Sequence, residues 1–81
     1  MRQVLTHNAQ LGQILLGRRK ASKLSQSALA AKLSISQNRL SELEAEPGKL
    51  TLDRLLALVN VLGLELVIQD RTPGDSSKAE W

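Results

Sequence analysis

Residues 25–44 read SQSALAAKLSISQNRLSELE. Leu29 and Leu33 stand four apart, and Leu40 and Leu43 three apart. Each pair falls on one face of a helix. Ala30 lies between the first two leucines, where a small side chain lets helices cross closely. Ser25 and Ser36 precede the two apolar patterns, and each can accept a backbone N–H of the first turn that follows. The spacing therefore predicts two short helices joined by a turn from about Ser34 to Ser36, with Ile35 filling the gap beneath it.

Two helices joined so tightly form a helix-turn-helix. Such a unit places the start of its second helix in the DNA major groove. Here that start is Ser36, Gln37, Asn38 and Arg39, with Ser41 one turn later. Gln37 and Asn38 each present a donor and an acceptor on one flat amide, the geometry that matches adenine N6 and N7. Ser36, Gln37, Asn38 and Ser41 are thus the expected base readers. Gln26 and Ser27, at the start of the first motif helix, are expected on phosphate together with Arg39, Lys49 and Arg18. Glu42, Glu44 and Glu46 are unsuited to a DNA-facing surface and are expected to point away. Glu44 is placed to pair with Arg19 from the preceding helix, which would make that arginine structural.

Outward from the motif, a helix is expected from Thr6 or Asn8 to Lys20 or Ser22, with Leu11, Ile14 and Leu15 as its apolar stripe. Gly12 and Gly17 weaken it by about 1 kcal/mol each relative to Ala, so they are expected to mark close approach to another helix or to DNA. Residues 1–6 read as loosely ordered, and His7 as a surface or capping residue. After the motif, Pro47-Gly48 marks a loop. Thr51 then caps a helix whose apolar face, Leu52 to Leu62, is too wide for one side exposed to water. It must be buried on both sides or shared across a dimer. Gly63 stops it.

Leu64, Leu66 and Ile68 alternate with Glu65, Val67 and Gln69, a strand pattern with no second strand elsewhere in the chain. A lone strand cannot satisfy its backbone groups. It is expected to pair with the same strand of a second subunit or with a partner's sheet edge, unless it packs on the helices as an extended tail. Leu64, Leu66, Val67 and Ile68 carry this expectation. The composition of residues 71–81, RTPGDSSKAEW, builds no core, so a domain over 1–70 and a flexible tail over 71–81 are expected. Trp81 is the only aromatic in the chain. It reads as an anchor for a partner's pocket.

Composition bounds the rest. A chain of 81 residues is one domain. It has no Cys and one His, so disulfides and thiolate metal sites are excluded and no catalytic set is legible. Neither a cofactor nor a metal is expected, and the reading is non-enzymatic. No apolar run reaches the roughly 18 residues of a membrane span, nor is there a signal-peptide core, and a cytoplasmic protein is expected. Residues 1–50 hold eight Lys or Arg against three Glu, and residues 51–81 hold three against five acids. The basic surplus coincides with the motif, as a nucleic-acid-binding half requires.

At Arg19, Ser25-Gln26, Leu29-Ala30, Leu33, Leu40-Ser41 and Leu43-Glu44 the chain resembles the Xre/Cro-type helix-turn-helix family, over about residues 10–63. The family's Arg–Glu bridge falls on Arg19 and Glu44. Where the family often carries Gly, at the end of the first helix and at the motif turn, this chain has Lys23 and Ser34, and slightly different local turns are expected. The strand LELVIQD and a polar tail ending Glu80-Trp81 narrow the resemblance to the HipB antitoxins. That resemblance implies a mainly α fold of four to five helices with one C-terminal β-strand paired across a homodimer. It also implies binding to a palindromic operator in double-stranded DNA, with reading helices roughly 34 Å apart. A HipA-type serine/threonine kinase toxin would be the partner, with Trp81 at its surface. A repressor without a toxin, or a protein-interaction module on the same fold, are the rival readings.

Overall fold

The computed structural model describes residues 2–71. Four α-helices follow in order: α1 Asn8–Ala21, α2 Gln26–Leu33, α3 Gln37–Ala45 and α4 Leu52–Val61, with a 3-10 turn, Pro47–Lys49, between the last two. The architecture is mainly α, as the sequence predicts. Each start has a local cause. The Ser25 Oγ accepts the Ala28 N–H at 3.0 Å, the Ser36 Oγ accepts the Arg39 N–H at 3.0 Å, and the Thr51 Oγ1 accepts the Arg54 N–H at 3.2 Å. His7 is the N-cap of α1, and the Gln10 side chain reaches back to accept the His7 N–H at 3.2 Å.

Three helix ends share one closure. After α1, Lys23 N–H reaches Lys20 C=O and Leu24 N–H reaches Arg19 C=O. After α2, Ser34 and Ile35 bond in the same way to Ala31 and Ala30, and after α4, Gly63 and Leu64 to Asn60 and Val59. This is the Schellman pattern, which requires a left-handed residue at its corner. Gly63 takes it at φ 71°, but Lys23 at 59° and Ser34 at 58° take it without being glycine. The expected difference in local turns is therefore absent. A left-handed non-glycine costs about 1–2 kcal/mol, and two satisfied carbonyls, each worth about 0.5–1.5 kcal/mol, offset it.

The core gathers Leu15, Leu29, Ala30, Leu33, Leu40, Leu58 and Leu62, all buried. Ile35 packs against it from the turn, as the spacing predicts. Gly12 lets α1 pass close to the end of α3. A Cβ there would stand 2.9 Å from the Glu44 carbonyl oxygen and 3.1 Å from Pro47 Cγ. Gly17 marks no close approach to another helix, because a Cβ there would meet nothing within 4 Å.

Residues 64–71 contain no helix or strand. The strand expected at 64–69 does not form in the single chain, for the reason the sequence already contains: no second strand is there to bond it. Val67 and Ile68 are 67% and 94% exposed. The N-terminal residues, expected to be loose, lie close to this segment: Arg2 Nη2 donates to Gln69 Oε1 at 2.6 Å. Both segments line one groove, floored by Leu11, Ile14 and Leu15 of α1 and Leu55 and Val59 of α4. On α4, Leu58 and Val59 are buried but Leu52 and Leu56 are exposed, so one chain covers only half of its apolar face. The tail and Trp81 lie outside the described residues.

Gly12→Ala should destabilise the domain by about 1–3 kcal/mol, since the neighbour is backbone and cannot turn aside. Gly17→Ala should raise stability by about 1 kcal/mol through helix propensity. Thermal unfolding of the two variants side by side checks both signs.

Candidate nucleic-acid interface

The motif is held from below by an ion pair. Arg19 Nε donates to Glu44 Oε2 at 2.7 Å and its Nη2 to Glu44 Oε1 at 3.3 Å, with side chains 10% and 9% exposed. The third donor, Nη1, reaches the Leu24 carbonyl at 3.0 Å. One guanidinium thus joins α1, the loop after it, and the end of α3. A forked donor suits this task, because two parallel bonds fix direction as well as distance.

Glu44 then orients the reading side. Its Oε1 accepts from Gln26 Nε2 at 2.9 Å. A carboxylate is acceptor-only, so the Gln26 amide must turn its NH2 inward and its oxygen outward. That oxygen lies 3.5 Å from Gln37 Nε2, a long contact that aligns rather than binds. One Gln26 amide hydrogen stays available for a phosphate. The start of α2 and the start of α3 are therefore set against each other by a path that begins in the buried pair.

Ser36, Gln37, Asn38, Arg39 and Ser41 are all exposed, as is Ser27. The structure brings the expected base readers together at one helix start. Among the residues expected on phosphate, Arg18 stands apart. Its Nε donates to the Leu62 carbonyl at the end of α4, 2.9 Å away, and it lines the groove beside residues 63–69 rather than the start of α3. Arg39 and Lys49 are exposed but not solitary. Glu42 Oε1 accepts from Arg39 Nη1 at 2.6 Å, and its Oε2 accepts from Lys49 Nζ at 3.1 Å. Lys49 also meets Glu46 at 3.1 Å. The hydrogen bond from Arg39, followed by that from Lys49, holds the Glu42 carboxyl below its ordinary range. Glu42, then Glu46, hold the Lys49 ammonium above its own.

Sequence reading missed this four-charge cluster, although Arg39 and Glu42 stand three apart on α3, a spacing that brings side chains together. It also missed Arg54, whose Nη1 donates to the Leu33 carbonyl at 2.9 Å and ties α4 to the end of α2. No local spacing signals a contact between residues that far apart in the chain. Among the described residues no group of His, Cys, Asp and Glu is placed to hold a metal, and no helix is long and apolar enough to cross a membrane.

Four short helices, with a polar second motif helix carried on a buried Arg–Glu pair, define a helix-turn-helix domain of the DNA-binding class. Residues 15–69 match the helix-turn-helix family, and the chain belongs to it. Solved structures that the chain resembles include two HipB complexes. One, described as a HipB-O1-O2 complex, matches at 28% identity and TM-score 0.76 over 85% of this chain and all of that one. A second, described as a HipA-HipB-O2-O3 complex, matches at 27% and 0.78 over 88% of this chain and all of that one. A third, described as an MDT protein, matches with the same identity, score and coverage. No match was found among curated proteins.

Arg19→Ala should cost about 3–5 kcal/mol, because it strands a buried carboxylate. At this chain length that is a large part of the total stability. A denaturant titration against the wild type checks it.

Proposed function

We propose that this chain is an antitoxin and transcriptional autorepressor, which binds a palindromic operator as a homodimer and holds a HipA-type serine/threonine kinase toxin inactive. The observation that carries the reading is the exposed start of α3, Ser36 to Asn38, on a helix locked at its other end by the Arg19–Glu44 pair. Likeness to HipB chains over their whole length supports the rest.

In this reading Gln37 and Asn38 read base edges, with Ser36 and Ser41 beside them. Gln26, Ser27, Arg39 and Lys49 take phosphates. Arg18 would take a phosphate through its Nη groups, since the Leu62 carbonyl uses its Nε. Two chains join through residues 64–69, paired as strands, with the exposed Leu52 and Leu56 of α4 shared across the dimer. That pairing covers the apolar side chains that a single chain leaves in water. Trp81 as the toxin's anchor rests on the resemblance of the tail, and the domain division at residue 70 on composition. A repressor without a toxin would share all of this except Trp81. Co-purification with the kinase, lost when residues 76–81 are removed, separates the two.

Gln37→Ala with Asn38→Ala should reduce affinity for a site selected from a random duplex pool by about 10-fold or more, since each good base contact contributes about 1–3 kcal/mol of discrimination. Gel shift measures it, and intact selective binding would show that other residues read the bases. Removal of residues 64–69 should give a monomer by sedimentation. A surviving dimer would place the joint elsewhere.

A further inference from the structure

The cluster that runs along α3 into the turn after it is charge-balanced in an unexpected place. Both carboxylate oxygens of Glu42 are occupied, each by one of the two cations best placed for phosphate. All three side chains stay accessible: Arg39 and Lys49 are 48% exposed and Glu42 41%. The bridges therefore add little to the fold. They do act on any duplex that approaches. To reach a phosphate, Arg39 and Lys49 must leave Glu42, and the carboxylate left behind repels the same phosphate.

We infer that Glu42 is a specificity-determining residue: it withholds Arg39 and Lys49 from DNA of arbitrary sequence and yields them only when the start of α3 is seated on its site. The inference rests on the DNA-binding reading above. Binding to arbitrary duplex is almost wholly electrostatic. A protein whose nearest cations are held internally has little to offer it. At the right sequence Gln37 and Asn38 make base contacts that hold α3 in the groove. Arg39 is the next residue of that helix, and phosphates are then within its reach and that of Lys49. Seating offsets the loss of the Glu42 bridges. On a wrong sequence nothing does, and the cations remain paired. Glu46 contacts Lys49 alone, so it shares only part of this role.

The test uses Glu42→Gln in the full chain, with Glu46→Gln as a control that removes the same charge from the same cluster. The probes are a duplex carrying the site that the wild type selects from a random pool, and a scrambled duplex of equal length and composition. Glu42→Gln should tighten binding to the scrambled duplex at least 5-fold and tighten the selected site less. Its slope of log affinity against log salt on the scrambled duplex should steepen by about 1–2, as expected when up to two further phosphates are neutralised. Glu46→Gln should do less on both measures. The inference is overturned if scrambled binding is unchanged, if both duplexes tighten equally, or if Glu46→Gln matches Glu42→Gln. A wild type that selects no site would overturn the DNA-binding reading itself, and this inference with it.

Discussion

The Arg19–Glu44 pair is the constraint on which the reading surface depends. A buried ion pair contributes little to stability relative to an apolar replacement, but it is strict about geometry. Here that strictness is used three times. The guanidinium fixes α1 to α3, its third donor fixes the loop before α2, and the partner carboxylate turns the Gln26 amide toward Gln37. A close approach of the two helices, at Gly12, sets a backbone carbonyl of Glu44 against α1. Side chain and main chain of one residue thus both determine where α3 lies.

Much of this was legible in the sequence, because it is written in short spacings. The serine and threonine caps, the leucine pairs and the Gly63 stop all act within one or two turns. Arg19 and Glu44 are legible for another reason: glutamates on an otherwise suitable motif ask for cations, and one stands at the end of the preceding helix. Lys23 and Ser34 are the instructive case. Residue preference argued against a left-handed corner at both, yet the backbone takes it. The closing hydrogen bonds belong to the helix end and not to the side chain, so the motif persists with a residue that merely tolerates it.

What the sequence did not disclose depends on long reach or on a second molecule. Arg18 is expected on phosphate, and the structure adds a contact that the sequence does not show. Its environment is set by the end of α4, far along the chain, and its Nε serves the Leu62 carbonyl. Arg39 and Lys49 were recognised as cations and their neighbours as misplaced acids, but not that the two groups answer each other. For the segment at 64–69, pattern described the residues correctly and the single chain could not satisfy the pattern. A strand is a relation between two segments, and only one is present.

α1 connects the groove to α3. α1 has two working sides. One meets α3 at Gly12 and Arg19. The other, through Leu11, Ile14 and Leu15, floors the groove edged by the N-terminal residues and by 64–69. Anything that fills that groove presses on the helix that positions α3. Packed interiors transmit such displacement because they leave little room to absorb it. A chain of this size also has a small core, and covering Leu66, Val67 and Ile68 would add apolar burial that the monomer lacks. Occupancy of the groove would then raise the stability of α1, and with it the rigidity of the Arg19–Glu44 anchor. In the proposed reading, the surface that reads and the surface that assembles share no side chain, yet one helix serves both.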